Sequence, residues 1–400
     1  MKDNTGLFLN KTMKEDSLVL FELKEHENRL KKCQSLMEKQ GLDVLILSQA
    51  SNVTYMTGYR TQLFFTQFRP FVCIVPKKGL PALIIPSLEG KSAKAEAWFD
   101  EIHLWGVGCE AKNPIQLIKK YFSDKNLLNT VIGMELDMGQ RPGMLQVEIE
   151  TLYKELNQCK FKSCSELMWK LRSVKSKKEV EFMKESCRIS EKAFEVFAAQ
   201  AKAGMTEREA YKIMGQTMLA EGSELYGFLA IISGVDHYKL ANPWPTDRKF
   251  KKGDMVICDY GAVYQGYWTD LTRSLFIDSV SDRQRELFEA AFKIQEAAVK
   301  VIKPKVPVGE IDKAGMQKIE DLGYSHLVRH RSGHSIGLEM HESPSISSDI
   351  TTLIEPGMVF CIEPAVYDLS AGKFRIEDEI LVTEKGFEWL SKHPKELIIK

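Results

Sequence analysis

A polar, basic segment at residues 171–178 (LRSVKSKK) separates two parts of the chain that have different patterns. Before it, helical patterns alternate with short apolar runs. After it, a long helical pattern leads into strands that end in acidic residues and histidines. The chain has 400 residues, and a single hydrophobic core usually stops growing near ~250–300 residues. We therefore predict two domains, residues 1–165 and residues 166–400.

Residues 1–165 alternate between helices and apolar strands, which is typical of an α/β domain. Helices are predicted at residues 25–39, 90–99, 114–122 and 144–156. Strand-like apolar runs lie at residues 43–48, 53–59, 71–76, 82–86 and 130–136. This half carries no motif that points to chemistry.

Residues 166–400 have a different texture, predicted as α+β: a curved, mostly antiparallel sheet backed by pairs of helices. Helices are predicted at residues 177–201, 207–220, 282–302 and 309–322. Strands are predicted at residues 228–233, 254–262, 274–277, 358–362 and 379–382.

Composition excludes several classes of partner. Lysine plus arginine equals aspartate plus glutamate at 55 each, so the chain has no electrostatic footprint for nucleic acid or an acidic membrane surface. Residues 1–16 lack the apolar core of a signal peptide, and no stretch approaches the ~20 apolar residues of a membrane span. The eight cysteines include no CxxC pair. We therefore expect reduced thiols and a cytoplasmic protein.

Two aspartates flank a predicted hairpin. Asp259 ends the run that begins at Val256, Gly261 and Gly266 are expected to flank a turn, and Asp270 lies on the returning strand. In such a hairpin the two carboxylates can face each other. The alternative is that Asp259 is a turn residue and Asp270 a surface charge.

Three of the eight histidines, His330, His334 and His341, fall within one stretch of twelve residues. A single histidine is more often an ordinary polar residue than a metal ligand. Small residues around His334 let the backbone approach another group closely, and the clustering favours a site.

Two glutamates end or interrupt apolar strands. Glu363 follows residues 358–362 and precedes a proline, where a buried, unpaired charge would be costly. Glu377 lies in the sequence Arg375-Ile-Glu-Asp-Glu, where Arg375 and Glu377 share one strand face. Surface exposure is the alternative for both glutamates.

Taken together, these segments supply four carboxylates and one imidazole, namely Asp259, Asp270, Glu363, Glu377 and His334. Clustered carboxylates repel one another strongly unless cations neutralise them. Hard oxygen ligands with a single histidine suit manganese, cobalt or iron, and zinc also fits. We therefore expect two divalent metal ions, roughly 3.5–4 Å apart, that activate a shared water.

The four segments, in this order, resemble the superfamily of methionine aminopeptidase, prolidase, aminopeptidase P and creatinase, which has the pita-bread fold. The sequence HRSGHSIGLEMHE at residues 330–342 is close to the usage HRTGHGIGLEVHE in prolidase-like members. The pairs Thr272-Arg273 and Glu363-Pro364 and the run 375–378 (RIED) also match. The resemblance implies a creatinase/prolidase-like amino-terminal domain and a pita-bread catalytic domain that hydrolyses short peptides.

The resemblance also implies roles for individual residues. Asp259 binds one metal, Asp270 and Glu377 bridge both, and His334 with Glu363 completes the other. Glu363 is also the general base. His341 stabilises the tetrahedral intermediate or positions the substrate carbonyl, and His330 lines the pocket. Arg375 lies behind the metals and orients their ligands.

One departure concerns the substrate. Prolidase-type members place a histidine seventeen residues before the first metal aspartate, where this chain has Asn242. Asparagine can donate a hydrogen bond but cannot shuttle a proton, and His237 lies five residues upstream. An Xaa-Pro dipeptidase or aminopeptidase P-like peptidase is the leading hypothesis. The alternative is a hydrolase or lyase of a small non-peptide amide or compatible solute, similar to ectoine hydrolase. A binding protein that has lost catalysis, or a metal-free creatinase-like enzyme, is disfavoured because all five ligands are present.

Phe64, Phe65 and Phe68 lie in a loop-like stretch, residues 59–70. Three phenylalanines left in water would be unfavourable. They could pack on their own domain, or, as prolidase-like and creatinase-like dimers imply, Phe64 and Phe65 could cap the substrate pocket of a second subunit. We therefore expect a homodimer.

Overall fold

The computed structural model describes residues 19–66, 68–137, 139–392 and 396–400. Residues 1–16, in which no signal peptide is predicted, and Gln67 of the phenylalanine-rich stretch lie outside the described residues. The chain forms two compact units, Met1–Leu171 and Arg172–Lys400. The predicted domain boundary, 165/166, lies a few residues before this division. None of the helices in the described part is long and apolar enough to span a bilayer.

Unit 1 is an α/β domain, as predicted. Its helices are α1 (Leu23–Gln40), α2 (Ala50–Thr57), α3 (Gly90–Glu96), α4 (Pro114–Asp124), α5 (Gln146–Glu155) and α6 (Ser165–Ser173), whose end passes the division between the units. Its strands are β1 (Val44–Leu47), β2 (Val72–Pro76), β3 (Ala82–Pro86), β4 (Ile102–Trp105), β5 (Val131–Met134) and β6 (Lys160–Ser163).

The strands of unit 1 form one mixed sheet in the order β4-β3-β2-β1-β5-β6. The central strand β1 is antiparallel to β2 and parallel to β5. The prediction of a strand at residues 53–59 is wrong, because Val53 to Thr57 belong to helix α2. The helix ends at Gly58, which has a left-handed backbone conformation. Most of this helix is buried, and periodicity alone does not distinguish a short buried helix from a strand.

Unit 2 contains helices α7 (Lys177–Gln200), α8 (Glu207–Ala220), α9 (Asp282–Lys300) and α10 (Gly309–Asp321). Its strands are β7 (Leu225–Ser233), β8 (Met255–Tyr264), β9 (Tyr267–Trp268), β10 (Leu271–Phe276), β11 (Gly333–Ser335), β12 (Glu342–Ile346), β13 (Val359–Ile362), β14 (Ala365–Asp368), β15 (Gly372–Arg375), β16 (Asp378–Val382) and β17 (Phe387–Trp389).

These strands form antiparallel sheets, which confirms the α+β prediction. One sheet has the order β10-β8-β7, with β9 paired to β8, and a second has the order β12-β11-β13-β16-β17. Strands β14 and β15 form a separate two-stranded ribbon. Helix α7 contacts α8, and α9 contacts α10, so the helices pair as expected. Burial of Phe197, Met214, Val256 and Leu275 joins α7 and α8 to the first sheet.

Three of these helices start with a capping box. The side chains of Ser176, Thr206 and Ser281 each accept a hydrogen bond from the backbone N–H three residues later, and a Glu or Gln there reaches back to the cap. The reciprocal bonds satisfy two backbone donors that the helix leaves free. These Ser/Thr-x-x-Glu/Gln patterns fix where the helices that back the sheets begin.

Strand β8 turns into β9 through Gln265 and Gly266, which both have positive φ angles, 51° and 80°. A two-residue turn of this kind matches the natural twist of a hairpin. The predicted hairpin is therefore present, but Gly261 does not flank the turn: it lies inside β8. A Cβ at Gly261 would lie 1.7 Å from the Thr269 carbonyl oxygen, so the strands approach too closely there for any side chain.

We predict that Gly261→Ala destabilises the protein by about 3 kcal/mol, because the added methyl group must push the Thr269 backbone away. The matched control is Gly215→Ala in helix α8, where the new Cβ would meet Tyr226 at an ordinary 3.6 Å. That change should be neutral or stabilise the helix by up to ~1 kcal/mol. Urea unfolding of the two variants measures both effects. Equal midpoints for Gly261→Ala and the parent protein would contradict the close approach.

Candidate metal centre

The five predicted ligands lie in or next to strands of unit 2. Asp259 is inside β8, Asp270 directly precedes β10, His334 is the middle residue of β11, Glu363 directly follows β13 and Glu377 directly precedes β16. Five strands of two sheets therefore contribute to one place in the unit.

Strand register brings these residues together. Thr272 of β10 pairs with Asp259 of β8 and also forms a bridge with Glu377, which links the first sheet to the second. His334 pairs with Cys361 of β13, two residues before Glu363. Gly333 allows this pairing: its φ is 145°, and a Cβ there would lie 2.0 Å from the Cys361 carbonyl oxygen. The sequence predicted that the backbone near His334 approaches another group closely, and this approach is between Gly333 and the Cys361 carbonyl.

The side chains converge. His334 Nε2 lies 3.7 Å from Asp270 Oδ2 and 3.8 Å from Glu363 Oε1. Asp259, Asp270 and Glu377 each offer a carboxylate oxygen, and these oxygens lie within 4.8 Å of one another. All of these side chains are buried or nearly so. The structure therefore brings the five predicted residues into one cluster.

The hydrogen bonds of the cluster leave space for a cation. His334 Nδ1 lies 3.0 Å from the Ser335 carbonyl oxygen, so Nδ1 carries the proton and Nε2 presents a lone pair. Burial lowers the pKa of His334 to about 3, which keeps the ring neutral. Nε2 and Asp270 Oδ1 are buried, and neither has a hydrogen-bond partner among the described residues. A lone pair that faces carboxylates without a proton between them fits a divalent metal ion.

Electrostatics favours the same conclusion. Burial, together with neighbouring carboxylates, raises the pKa of Asp270 and of Glu363 well above the usual range. Arg375 offsets part of the negative charge: its guanidinium contacts Asp259 and lies 3.4 Å from Glu363 Oε2 and 3.7 Å from Glu377 Oε2. One guanidinium does not neutralise four carboxylates, and divalent cations would complete the balance.

A layer of buried polar groups holds the cluster, and the sequence motifs did not predict its hydrogen bonds. Thr272 Oγ1 donates to Glu377 Oε2 at 2.7 Å. The backbone N–H of Asp270 donates to Glu379 Oε1 at 2.9 Å, and burial raises the pKa of Glu379 to about 7. Gln295 of α9 donates to the carbonyls of Ile362 and Ile376, at 3.0 and 3.1 Å. The residues immediately before Glu363 and Glu377 are therefore tied to one side chain.

The cluster lies at the wall of a cavity of about 480 Å³. His330, His341 and Asn242 also line this cavity. His341 packs edge-on against His334, with ring centroids 4.1 Å apart. His237, in contrast, is not a lining residue; its Nδ1 lies 3.0 Å from the buried Glu207 carboxylate. His237 therefore does not take the place of the family histidine at position 242.

Tyr367 and Lys373 also line the cavity, and neither residue was predicted from the sequence to belong to the site. The Tyr367 hydroxyl donates to His330 Nε2 at 2.7 Å, because His330 Nδ1 lies 2.7 Å from the Arg331 carbonyl and carries the proton. Only Lys373 could have been found from the sequence, because it is a charged residue two positions before Arg375 and therefore shares a strand face with it.

In unit 1, the phenylalanine-rich stretch contains a short 3-10 helix, Gln62–Phe65. Phe64 packs edge-on against Tyr59 and Phe71 of its own unit, with centroids 5.9 and 5.0 Å away. Phe65 is 70% exposed and Phe68 is 80% exposed. Phe64 therefore packs on its own unit, whereas Phe65 and Phe68 are exposed.

Comparison with known proteins matches both halves of the chain. Residues 181–384 match the profile of metallopeptidase family M24, and residues 29–174 match that of the creatinase/prolidase N-terminal domain. An Xaa-Pro dipeptidase of Pyrococcus furiosus is 30% identical over 373 residues, which cover 93% of this chain and 100% of the relative.

Solved structures agree over the same length. An Xaa-Pro dipeptidase from Bacillus anthracis has a TM-score of 0.83 at 28% identity and covers 94% of this chain and 100% of its own. An X-Pro aminopeptidase from Thermotoga maritima has a TM-score of 0.80 at 26% identity, with 93% and 99% covered. The expected pita-bread resemblance is confirmed, and the chain is a metal-dependent hydrolase.

Removing one of the repelling carboxylates should have opposite effects on two properties: the metal-free protein becomes more stable, and metal binding becomes weaker. We predict that metal-free Asp270→Asn unfolds at a higher temperature than the metal-free parent, because a buried carboxyl with a raised pKa is costly at neutral pH. Added Mn²⁺ should raise the Tm of the parent, since a ligand that binds only the folded state stabilises it by about 2.7 kcal/mol at one hundred times its Kd. The variant should respond much less.

The matched control is Asp349→Asn, which removes an exposed carboxylate in the same unit and should leave the metal response intact. A variant Asp270→Asn that keeps the full Mn²⁺-dependent rise in Tm would show that Asp270 does not bind metal. Differential scanning calorimetry with and without a chelator makes both comparisons.

Proposed function

We propose that this chain, which belongs to metallopeptidase family M24, is an Xaa-Pro dipeptidase or an aminopeptidase P-like peptidase that acts on short peptides with two divalent metal ions. The observation that carries the proposal is the lone pair of His334 facing Asp270 and Glu363, beside the clustered oxygens of Asp259 and Glu377. Relatives named for Xaa-Pro substrates, similar over nearly the whole chain, support it.

Asp259, Asp270, His334, Glu363 and Glu377 would hold the two metal ions. Manganese, cobalt, iron and zinc are the candidates, because the set is rich in oxygen and has one imidazole. Bound divalent ions neutralise the carboxylates, polarise a substrate carbonyl and make a water more acidic.

Glu363 is proposed as the general base. Its carboxylate Oε1 lies on the His334 side of the cluster, and the other oxygen, Oε2, lies 3.4 Å from Arg375. One oxygen can therefore accept a proton from the attacking water while the other is held. The same carboxyl then gives its proton to the leaving nitrogen, which completes the hydrolysis of the amide bond.

The two histidines of the cavity wall are proposed to position the substrate. Burial lowers the pKa of His341 and of His330 below the usual range, so both rings are neutral. The one N–H of His330 already donates to the Arg331 carbonyl. His341 lies beside His334 and can donate to the substrate carbonyl. His330 is held by Tyr367 and lines the pocket. Arg375 orients the ligand carboxylates that it contacts.

A second candidate function rests on Asn242. It lines the cavity at the position where prolidase-type members carry a histidine, and its amide cannot transfer a proton near neutral pH. A hydrolase or lyase of a small non-peptide amide would need no proton shuttle at that position. The ligand cluster is the same in both functions, so they differ only in the substrate.

A substrate panel distinguishes the two functions. Metal-loaded protein is assayed with Xaa-Pro dipeptides, Xaa-Pro tripeptides and small cyclic amides in the presence of Mn²⁺, Co²⁺ or Zn²⁺. The proposal expects hydrolysis of the Xaa-Pro bond and about two equivalents of metal by elemental analysis, the arrangement of dinuclear hydrolases. Less than one equivalent would rule out the dinuclear centre, and turnover of cyclic amides alone would favour the second candidate.

Glu363→Gln should lower kcat by about 10²–10⁴-fold, the usual contribution of a general base, while some metal is retained. Glu355→Gln is the matched control, because Glu355 is an exposed glutamate of the same segment and lies outside the cavity. Turnover at the parent rate in Glu363→Gln would exclude the proposed role.

We also propose a cytoplasmic homodimer in which the stretch that contains Phe64 and Phe65 caps the pocket of the second subunit. The neutral charge and the eight cysteines without CxxC pairs support the location. The 70% exposure of Phe65 supports the contact, because a large exposed aromatic side chain gains free energy when a partner covers it. A cap of this kind excludes water and limits access to short substrates.

Phe65→Ala is therefore expected to raise KM several-fold without loss of metal. Phe64→Ala should also raise KM, and it should lower the Tm as well, since Phe64 packs against Tyr59 and Phe71. Leu88→Ala is the control, because Leu88 is 73% exposed in the same unit. Light scattering that finds a fully active monomer would refute the shared pocket.

A further inference from the structure

The ribbon of β14 and β15 extends the wall of the cavity away from the metal cluster. Tyr367 pairs with Lys373, and Ala365 pairs with Arg375. Side chains two residues apart share one face of a strand, about 6.6 Å from each other. Arg375 contacts the ligand carboxylates, so Lys373, two residues before it, lies one strand repeat farther from the cluster. Lys373 lines the same cavity.

Lys373 is a buried cation without a carboxylate partner in the described ranges of the chain. Its side chain is only 8% exposed. Nζ donates to the carbonyls of Leu240 and Ala241, at 2.8 and 3.2 Å, and lies 5.2 Å from the centre of the Tyr367 ring. An ammonium group has three donors, so one N–H remains for a ligand. A buried charge without a counter-ion is costly, and an anion that enters the cavity would remove this cost.

The charge of the surrounding wall is positive as well. Lys239, Arg329 and Arg331 line the cavity and are exposed. Arg329 and Arg331 donate to backbone carbonyls, and none of the three forms an ion pair with a carboxylate in the part of the chain that the structure describes. The carboxylates of the cavity belong to the metal cluster. The rest of the wall therefore suits an anionic group of the substrate.

We propose that Lys373 binds the carboxylate of the leaving amino acid, so that the site selects substrates that end one residue after the cleaved bond. This inference rests on the proposed peptidase function and decides between its two forms, in favour of a dipeptidase. One residue spans at most ~3.6 Å, and a charge-assisted hydrogen bond adds ~2.8 Å. The sum of these two lengths is close to the distance of about 6.6 Å between the side chains of Arg375 and Lys373 along the strand.

A longer peptide would place a neutral amide beside Lys373. The ammonium would then remain without a counter-ion, and the charge-assisted hydrogen bond would be replaced by a weaker one. Lys373 is thus a specificity-determining residue rather than part of the chemical step, and its effect should appear in KM more than in kcat.

The test compares Ala-Pro with its carboxamide, Ala-Pro-NH₂, on the metal-loaded enzyme. The parent should prefer the free acid by about 10- to 100-fold in kcat/KM, the size expected for one hydrogen bond to a charged group. In Lys373→Met the preference should fall towards one, through a higher KM for the acid. Lys373→Arg should keep most of it. Lys300→Met, which changes an exposed lysine of α9 outside the cavity, is the control and should keep all of it.

Two results would overturn the inference. The parent could hydrolyse acid and amide equally, or Lys373→Met could weaken both substrates by the same factor. The second result would mean that Lys373 only holds the segment of Leu240 and Ala241 in place. A structural role of that kind would not change the ratio of acid to amide.

Failure of the proposed function gives a different result: the metal-loaded parent hydrolyses neither compound. In that case, calorimetry measures the affinities for proline and for prolinamide, which tests whether Lys373 binds an anion without the need for turnover. Proline that binds the parent at least 10-fold more tightly than prolinamide, and loses this advantage in Lys373→Met, supports the site. Equal binding of the two compounds rejects it.

Discussion

The repulsion among four buried carboxylates is the constraint on which unit 2 depends. Asp259, Asp270, Glu363 and Glu377 surround a histidine whose free nitrogen also presents a lone pair. A chain that folds without cations must keep protons on some of these groups, as the raised pKa of Asp270 indicates. The cluster is thus unfavourable for folding in itself, and its presence is explained by the metal ions that family M24 enzymes bind.

Because the cluster opposes folding, the surrounding structure has to hold it rigidly. Arg273 donates to the carbonyl of Glu377 at 2.6 Å and to Asp378 at 2.5 Å, and Gln295 ties the backbones before Glu363 and Glu377 to helix α9. These bonds are buried, so an unmade partner would cost the full desolvation penalty. They hold the backbone next to the clustered carboxylates and the Asp378 side chain, and they do not use the carboxylate oxygens of the cluster.

Much of this arrangement could be predicted from the sequence, because the clustered residues lie in or next to strand-like runs and their order matches a known family. The places where two strands come too close for a side chain could not be predicted from the sequence. Gly261 looked like a turn residue, but it faces the Thr269 carbonyl inside β8. The run at 53–59 looked like a strand because both faces of α2 are buried. Gln295 is one polar residue on a long amphipathic helix, and only the tertiary structure shows which backbone carbonyls it meets.

The cavity wall contains elements whose positions do not depend on the carboxylate cluster. His341 leads directly into Glu342, and Glu342 is buried between Arg172 and Lys175, with Lys175 Nζ 3.0 Å from its carboxylate. Although burial opposes ionisation, these two cations lower the pKa of Glu342, so the carboxylate stays charged and anchors the segment that carries His341. Asn242 lies on a different segment, next to the carbonyls that Lys373 holds. The clustered carboxylates, His334 and His341 are therefore fixed by buried ion pairs and strand register, whereas the wall around Asn242 depends on a ribbon and a loop. The wall can therefore change without disturbing the carboxylate cluster, and function on one fold is set by such local sites.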